Sequence, residues 1–189
     1  MELNNYIKIV ENAVTENNLK TLMKLVQEMN FSDAKIVGEG EKPIIEKNIR
    51  NVQECFLHSF STSLTYWHWL NYLTSIFIQA QNEYYNSINS LPYSNELISI
   101  SFLKYENTGH YNFHVDGGKH INRTLSMILL LNDNYDGGEL IFKNQITKEE
   151  TIMQKKAGNL IVWPSNFLFP HCVMPVTKGI RYSVVAWAL

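Results

Sequence analysis

The chain has 189 residues, 45% of them hydrophobic and 18% charged, with a formal net charge of -2; this is an ordinary globular mixture, long enough for one sizeable core, and a single domain over 1–189 is expected. Acid and base are interspersed and no Lys/Arg-rich run marks a phosphate-tracking surface, so nothing points to a nucleic-acid partner. The longest apolar runs, such as Met127 to Leu131, are too short to cross a bilayer, the polar, acidic N-terminus lacks the features of an export signal, and the two cysteines, Cys55 and Cys172, are too sparse for a disulfide framework, so a reduced, cytoplasmic protein with no membrane partner is expected.

Residues 1–96 carry the helical period. Leu19, Leu22, Met23, Val26 and Met29 recur at steps of three and four and predict an amphipathic helix, with Thr15 as its start signal. A longer helix is predicted over about 63–88, with Trp67, Leu70, Leu73, Ile76, Phe77 and Ala80 as its buried stripe and Leu91-Pro92 closing it. The pair Tyr84-Tyr85 reads as helix surface or packing. His58, Trp67 and His68 lie in this half, to which no chemistry is assigned.

From residue 97 the strand period takes over. Apolar or alternating segments at 97–105, 124–132, 138–144, 158–164 and 181–189 are separated by turn clusters at Asn132-Asp133-Asn134, Asp136-Gly137-Gly138 and Lys178-Gly179. Short strands with regular turns suggest a sandwich or jelly roll, and helices followed by strands suggest that the helices cover one face of it. The expected class is mostly β with N-terminal supporting helices (α+β), residues 1–96 giving support and first strands and residues 97–189 the core.

The chemistry centres on His114-Val115-Asp116. Residues two apart on a strand share a face, so an imidazole and a carboxylate can occupy adjacent corners of one metal site. His171, which follows the segment 158–164 and a short loop, is the candidate third ligand. Two His and one carboxylate with open positions suit a non-haem Fe(II) centre, although zinc accepts the same ligands. Arg181 opens the last apolar strand, with Ser183 on the same face. A guanidinium there needs a partner, because an unpaired buried charge is costly. A bidentate carboxylate ligand would supply one, and so would a protein Asp or Glu.

The stretches Tyr105-x3-Gly109-x-Tyr111-x2-His114-x-Asp116, Asp136-Gly-Gly-Glu-Leu140 and Pro170-His171-x-Val173-x-Pro175-Val176-x2-Gly179-x-Arg181-Tyr182-Ser183-x3-Trp187 resemble the 2-oxoglutarate/Fe(II)-dependent dioxygenases of the prolyl 4-hydroxylase-like group. The resemblance covers residues 97–189. It implies a double-stranded β-helix, the jelly-roll, cupin-like core of that superfamily. It also implies Fe(II) on His114, Asp116 and His171, and 2-oxoglutarate held by Arg181, with Tyr105 and Ser183 as further contacts. The chemistry implied is hydroxylation of a C–H bond by O2, with release of succinate and CO2 and with ascorbate (vitamin C) as the usual reductant. Two departures stand out. Close animal hydroxylases carry a tyrosine where this chain has Leu129, Leu130 and Leu131, and the DNA-demethylating branch carries a second arginine that is missing after Arg181.

Substrate is open at this level. A peptide or protein substrate, hydroxylated on a residue such as proline, rests on the resemblance. The alternatives are a small-molecule hydroxylase acting on an amino acid or nucleotide-linked metabolite, a non-catalytic jelly-roll binding module, and a cupin-like zinc or manganese enzyme. Oligomeric state is not legible. Among lesser residues, His110 and His120 read as solvated loop histidines, and Asp116-Gly117-Gly118-Lys119-His120 as a loop able to close over substrate or one whose glycines serve only the turn geometry. Trp163 reads as pocket floor or core, Trp187 as core, and Cys172 as structural.

Overall fold

The computed structural model describes residues 3–36, 42–57, 63–91, 96–118 and 122–189. A short 3-10 turn at Leu3–Tyr6 precedes β1 (Lys8–Val10), α1 (Glu16–Glu28), β2 (Ser32–Asp33), β3 (Arg50–Asn51), β4 (Gln53–Phe56) and α2 (Leu64–Ser87). The rest is strand: β5 (Leu97–Tyr105), β6 (His110–His114), β7 (Leu125–Leu130), β8 (Asp136–Gly137), β9 (Leu140–Lys143), β10 (Glu150–Ile152), β11 (Leu160–Pro164), β12 (His171–Val173), β13 (Val176–Lys178) and β14 (Arg181–Ala188). All five strand segments read from the sequence are present.

Two antiparallel sheets form the jelly roll. One has seven strands in the order β1-β11-β7-β14-β5-β4-β2, the other five in the order β10-β9-β12-β6-β3, and β13-β8 make a small ribbon. Two cores flank the seven-stranded sheet. Phe102, Met127, Leu129, Leu160, Val162, Val184 and Ala186 meet α1 and α2 on one face. Leu103, Tyr105, Ile128, Leu130, Ile161, Trp163 and Val185 meet Leu140, Phe142 and Val173 of the five-stranded sheet on the other. A sheet covered on both faces needs apolar side chains at both parities, which is why 125–130 and 158–164 read as continuous apolar runs rather than alternations.

The helices form as expected, with one correction. The Thr15 hydroxyl accepts from the Asn18 N–H and caps α1, which buries Leu22 and Val26. In α2 the buried stripe is Trp69, Leu73, Phe77, Ala80, Tyr84 and Tyr85, whereas Trp67 is 41% exposed and Leu70 and Ile76 are only partly buried. The helix is apolar most of the way round, so periodicity selected a neighbouring stripe; contact with the sheet fixes the real one. Tyr84 and Tyr85 are accordingly core. The N-terminal strand β1, which the polar composition did not announce, adds an edge to the seven-stranded sheet by pairing Lys8 with Val162 and Val10 with Leu160.

Candidate active site

The site lies between the sheets, in a cavity lined by residues of both, among them Tyr105, Tyr111, His114, Asp116, Ser126, Trp163, His171 and Trp187. His114 is the last residue of β6, and Asp116 lies beyond its end rather than on it. The structure therefore brings the expected pair together through a different backbone from the regular strand that the shared-face argument assumed. The chain leaves the strand, and the Gly117 N–H is caught by the Ser165 carbonyl at 2.7 Å. His171 opens β12 directly opposite His114 in the ladder.

His114 Nε2 lies 3.6 Å from Asp116 Oδ1, and His171 Nε2 lies 3.4 Å from Asp116 Oδ2. Among the described residues these three form the one His/Cys/Asp/Glu group able to hold a metal ion, with their ligand atoms within 4.8 Å of one another. Metal–nitrogen and metal–oxygen bonds of about 2.0–2.2 Å put neighbouring ligands roughly 3 Å apart, so the spacing suits a single ion. Each histidine presents the correct nitrogen. The Nδ1 of His114 is 2.8 Å from the Asn112 carbonyl and that of His171 is 3.1 Å from the Phe169 carbonyl. Those contacts place a proton on Nδ1 and leave Nε2 facing Asp116.

The surroundings hold the carboxylate charged and one imidazole neutral. Burial alone would raise the Asp116 carboxyl. The nearby His171, the hydrogen bond and charge of His114 and the Ser126 hydroxyl together outweigh it, holding the group below the ordinary carboxylate range. Burial drives His171 down to about 4, against the opposing pull of Asp116. The Ser126 hydroxyl donates to Asp116 Oδ2 at 2.7 Å and also meets Ser165 Oγ at 2.8 Å. Trp163 and Phe142 stand at 4.9 and 5.5 Å from the His171 ring, so Trp163 is core and cavity wall at once.

Arg181 lies behind Tyr105, a residue of the cavity wall. It is only 1% exposed and sits opposite Tyr105 on β5, its guanidinium 5.0 Å from the Tyr105 ring centroid. One terminal nitrogen donates to Ser183 Oγ at 2.9 Å; Nε and the other terminal nitrogen have no partner within hydrogen-bond distance, although the Tyr135 phenol is close enough to feel the guanidinium. The protein carboxylate that could have neutralised it is absent among the described residues. A buried cation whose Nε and one terminal nitrogen lack partners within hydrogen-bond distance is suited to an anion with two oxygens. The dicarboxylate 2-oxoglutarate fits that requirement.

The leucines at 129–131 are also accounted for. Leu129 and Leu131 face the helices, and only Leu130 faces the inter-sheet core. A phenol reaches the arginine from elsewhere: Tyr135, in the turn after β7, is buried beside it, so that burial raises its phenol while the Arg181 charge opposes the rise. The Asp136-Gly-Gly turn makes room. A Cβ on Gly138 (φ +65) would meet Tyr135 Cε2 at 3.0 Å and Arg181 Cδ at 3.1 Å, and one on Gly137 (φ +72) would meet the Pro175 carbonyl oxygen at 2.2 Å.

Other expectations fare unevenly. Trp187, read as core, is half-buried, lines the cavity and carries the Arg123 guanidinium 3.8 Å above its ring; Arg123 also donates to the Asp116 carbonyl at 3.3 Å. His110 bonds the Thr108 and Asn48 carbonyls and lies on an outer groove, away from the cavity. Cys172 lines the same outer groove and is free, as is Cys55. His58, Lys119 and His120 lie outside the described residues. Sequence reasoning missed Ser126, Arg123, Tyr135 and Arg50. Only Ser126 left a trace, as a hydroxyl inside an apolar strand.

Comparison with known proteins finds similarity over the same part of the chain. Residues 100–189 match the family model described as the 2OG-Fe(II) oxygenase superfamily. The PKHD-type hydroxylase YbiX of Escherichia coli is 33% identical over 131 residues, covering 60% of this chain and 56% of the relative; the chain thus spans little more than half the length of the curated relatives it matches. Two solved structures share the fold. One is a Pseudomonas putida prolyl-4-hydroxylase (TM-score 0.71, 19% identity, covering 96% of this chain and 91% of that one). The other is a Trichoplax adhaerens prolyl hydroxylase in complex with a hypoxia inducible factor oxygen degradation domain peptide fragment (TM-score 0.75, 18% identity, covering 98% and 84%). Residues 100–189 thus resemble the 2OG-Fe(II) oxygenase superfamily, and the solved structures share the fold around them.

Proposed function

We propose that this chain is an Fe(II)- and 2-oxoglutarate-dependent dioxygenase that hydroxylates a C–H bond of a peptidyl residue such as proline, releasing succinate and CO2. The observation that carries the reading is the pairing of the His114, Asp116 and His171 cluster with a buried Arg181 whose Nε and one terminal nitrogen are unsatisfied. His114, Asp116 and His171 would hold the metal, and Arg181 with Ser183 would hold the distal carboxylate of the co-substrate. Bound iron supplies the activation of O2 that couples decarboxylation of 2-oxoglutarate to C–H hydroxylation.

The chain's own residues do the rest. Asn112 and Phe169 carbonyls fix the imidazole tautomers, and Ser126 fixes the carboxylate. Tyr105, Tyr135 and Ser183 gather phenols and a hydroxyl around the anion site. Trp163 and Phe142 keep water from the His171 side. The peptide preference is supported by the peptide complex of the Trichoplax relative and by the exposed Phe113 and Val115 beside the candidate ligands, which offer apolar surface to a bound segment. Two free cysteines fit a reducing, cytoplasmic setting.

The test is succinate formation from 2-oxoglutarate with Fe(II), ascorbate and O2, in wild type and in Arg181→Ala and His171→Ala. Turnover in wild type that both variants lose supports the reading. A protein that binds neither Mn(II) nor 2-oxoglutarate belongs instead to the non-catalytic binding modules. Stimulation by free amino acids but not by proline-containing peptides would move the assignment to a small-molecule hydroxylase.

A further inference from the structure

The two candidate histidine ligands are held unequally. His171 is 6% exposed and boxed by Trp163 and Phe142. His114 is 18% exposed, sits where β6 stops, and is held from its Nδ1 side by the Asn112 carbonyl. Its open face is covered by the Tyr111 ring, stacked at 3.5 Å between centroids and 17° between planes. On Tyr111 in turn lies the Arg50 guanidinium, 5.1 Å from the ring centroid. Guanidinium, phenol and imidazole therefore form a stack of three layers that ends on the candidate metal ligand.

Arg50 comes from β3, outside the stretch that matches the family model, and its backbone pairs with Tyr111. Its guanidinium is anchored on the other sheet. Nη1 donates to the Lys35 carbonyl at 2.7 Å, just past β2, and Nη2 pairs with Glu54 of β4 at 3.1 Å. Glu54 belongs to the seven-stranded sheet and Lys35 follows its edge strand β2, while Arg50, Tyr111 and His114 belong to the five-stranded one. The same backbone segment also grips β6 beside the ligand: Asn112 donates to the Ile49 carbonyl from its backbone (2.9 Å) and to the Asn48 carbonyl from its side chain (3.0 Å). A planar guanidinium fixed at two nitrogens restricts the ring beneath it, and the ring restricts the imidazole.

We propose that Arg50 is a positioning residue for the metal ligand His114, acting through Tyr111. The proposal rests on the metal-site reading above. The bland alternative is an inter-sheet ion pair that contributes to stability alone. Three variants separate them: Arg50→Gln removes the top layer, Tyr111→Leu removes the middle layer and leaves the Arg50–Glu54 pair, and Glu54→Gln removes the ion pair and leaves a guanidinium on the ring.

The measurement is Mn(II) affinity of the full chain by electron paramagnetic resonance, with the Co(II) absorption spectrum as a second readout and thermal unfolding as the control for folding. Loss of a group that orients a ligand costs roughly ten- to a hundredfold in metal affinity. Arg50→Gln and Tyr111→Leu are each expected to weaken Mn(II) binding by about tenfold or more and to alter the Co(II) spectrum. The double variant is expected to be little worse than either, because both act through one contact. Glu54→Gln is expected to bind Mn(II) within a few-fold of wild type.

Mn(II) affinity near wild type in Tyr111→Leu overturns the proposal, and this outcome stands even if Arg50→Gln fails to fold. So does a loss in Glu54→Gln equal to that in Arg50→Gln, since the ion pair would then explain everything. A wild-type chain that binds no Mn(II) overturns both this proposal and the dioxygenase reading; binding that ignores these variants sinks only this one.

Discussion

Replacing Arg181 by methionine separates a ligand-binding arginine from a structural one, because the two roles predict opposite signs. The guanidinium is 1% exposed and makes one hydrogen bond, to Ser183, while two of its nitrogens stay unpaired. A structural buried ion pair broken from one side loses about 3–5 kcal/mol. Here no protein carboxylate is abandoned, and methionine of similar length fills the space and removes an uncompensated charge. Stability of the ligand-free protein should therefore hold or rise. Co-substrate binding should collapse. Two charge-assisted bonds of about 1.5–3 kcal/mol each amount to roughly 3–6 kcal/mol, which at about 1.4 kcal/mol per decade is a loss of about 10²- to 10⁴-fold. The assay is a 2-oxoglutarate titration of Mn(II)-loaded protein, beside thermal unfolding of the ligand-free protein. A variant that unfolds several degrees lower yet binds 2-oxoglutarate within a few-fold of wild type would refute the reasoning.

Other outcomes follow from the same geometry. Saturating Mn(II) at about a hundred times its dissociation constant should add about 2.7 kcal/mol to stability, raising the melting temperature by roughly 5–10 °C; Asp116→Ala should abolish that rise in differential scanning fluorimetry. Ser126→Ala takes the 2.7 Å hydrogen bond from Asp116 and should weaken Mn(II) binding about tenfold; an unchanged affinity would mean that the carboxylate is oriented without it. Gly137→Ala brings a Cβ to 2.2 Å from the Pro175 carbonyl at a φ of +72. It should destabilise the fold by about 2 kcal/mol or more, read from chemical denaturation, and a melt like that of wild type would show that the turn can relax.

The determinants of the site are divided between sequence and fold in a way the residues make plain. Composition and period announced the strands from 97 onward, and motif order named His114, Asp116, His171 and Arg181, because metal ligation and anion binding demand particular side chains at fixed spacings. Thr15 announced the start of α1 for the same reason: a cap is a local interaction between neighbours in the chain. Tyr135 and Ser126 were not announced. A tyrosine in a turn and a serine in an apolar strand are chemically ordinary, and become site residues only when β7 and β14 lie side by side. Arg50 was wholly illegible. Its contact with Tyr111 exists because β3 pairs with β6, and its contacts with Lys35 and Glu54 because the chain on either side of β3 passes into the other sheet. The buried stripe of α2 was likewise chosen by the sheet, since a helix apolar on most sides carries no internal preference. What the sequence by itself determined is a set of side chains able to bind a metal and an anion, which resides in residue types and short spacings; what the tertiary structure alone decided is which other side chains gather around them, because such contacts form only when the strands are packed together.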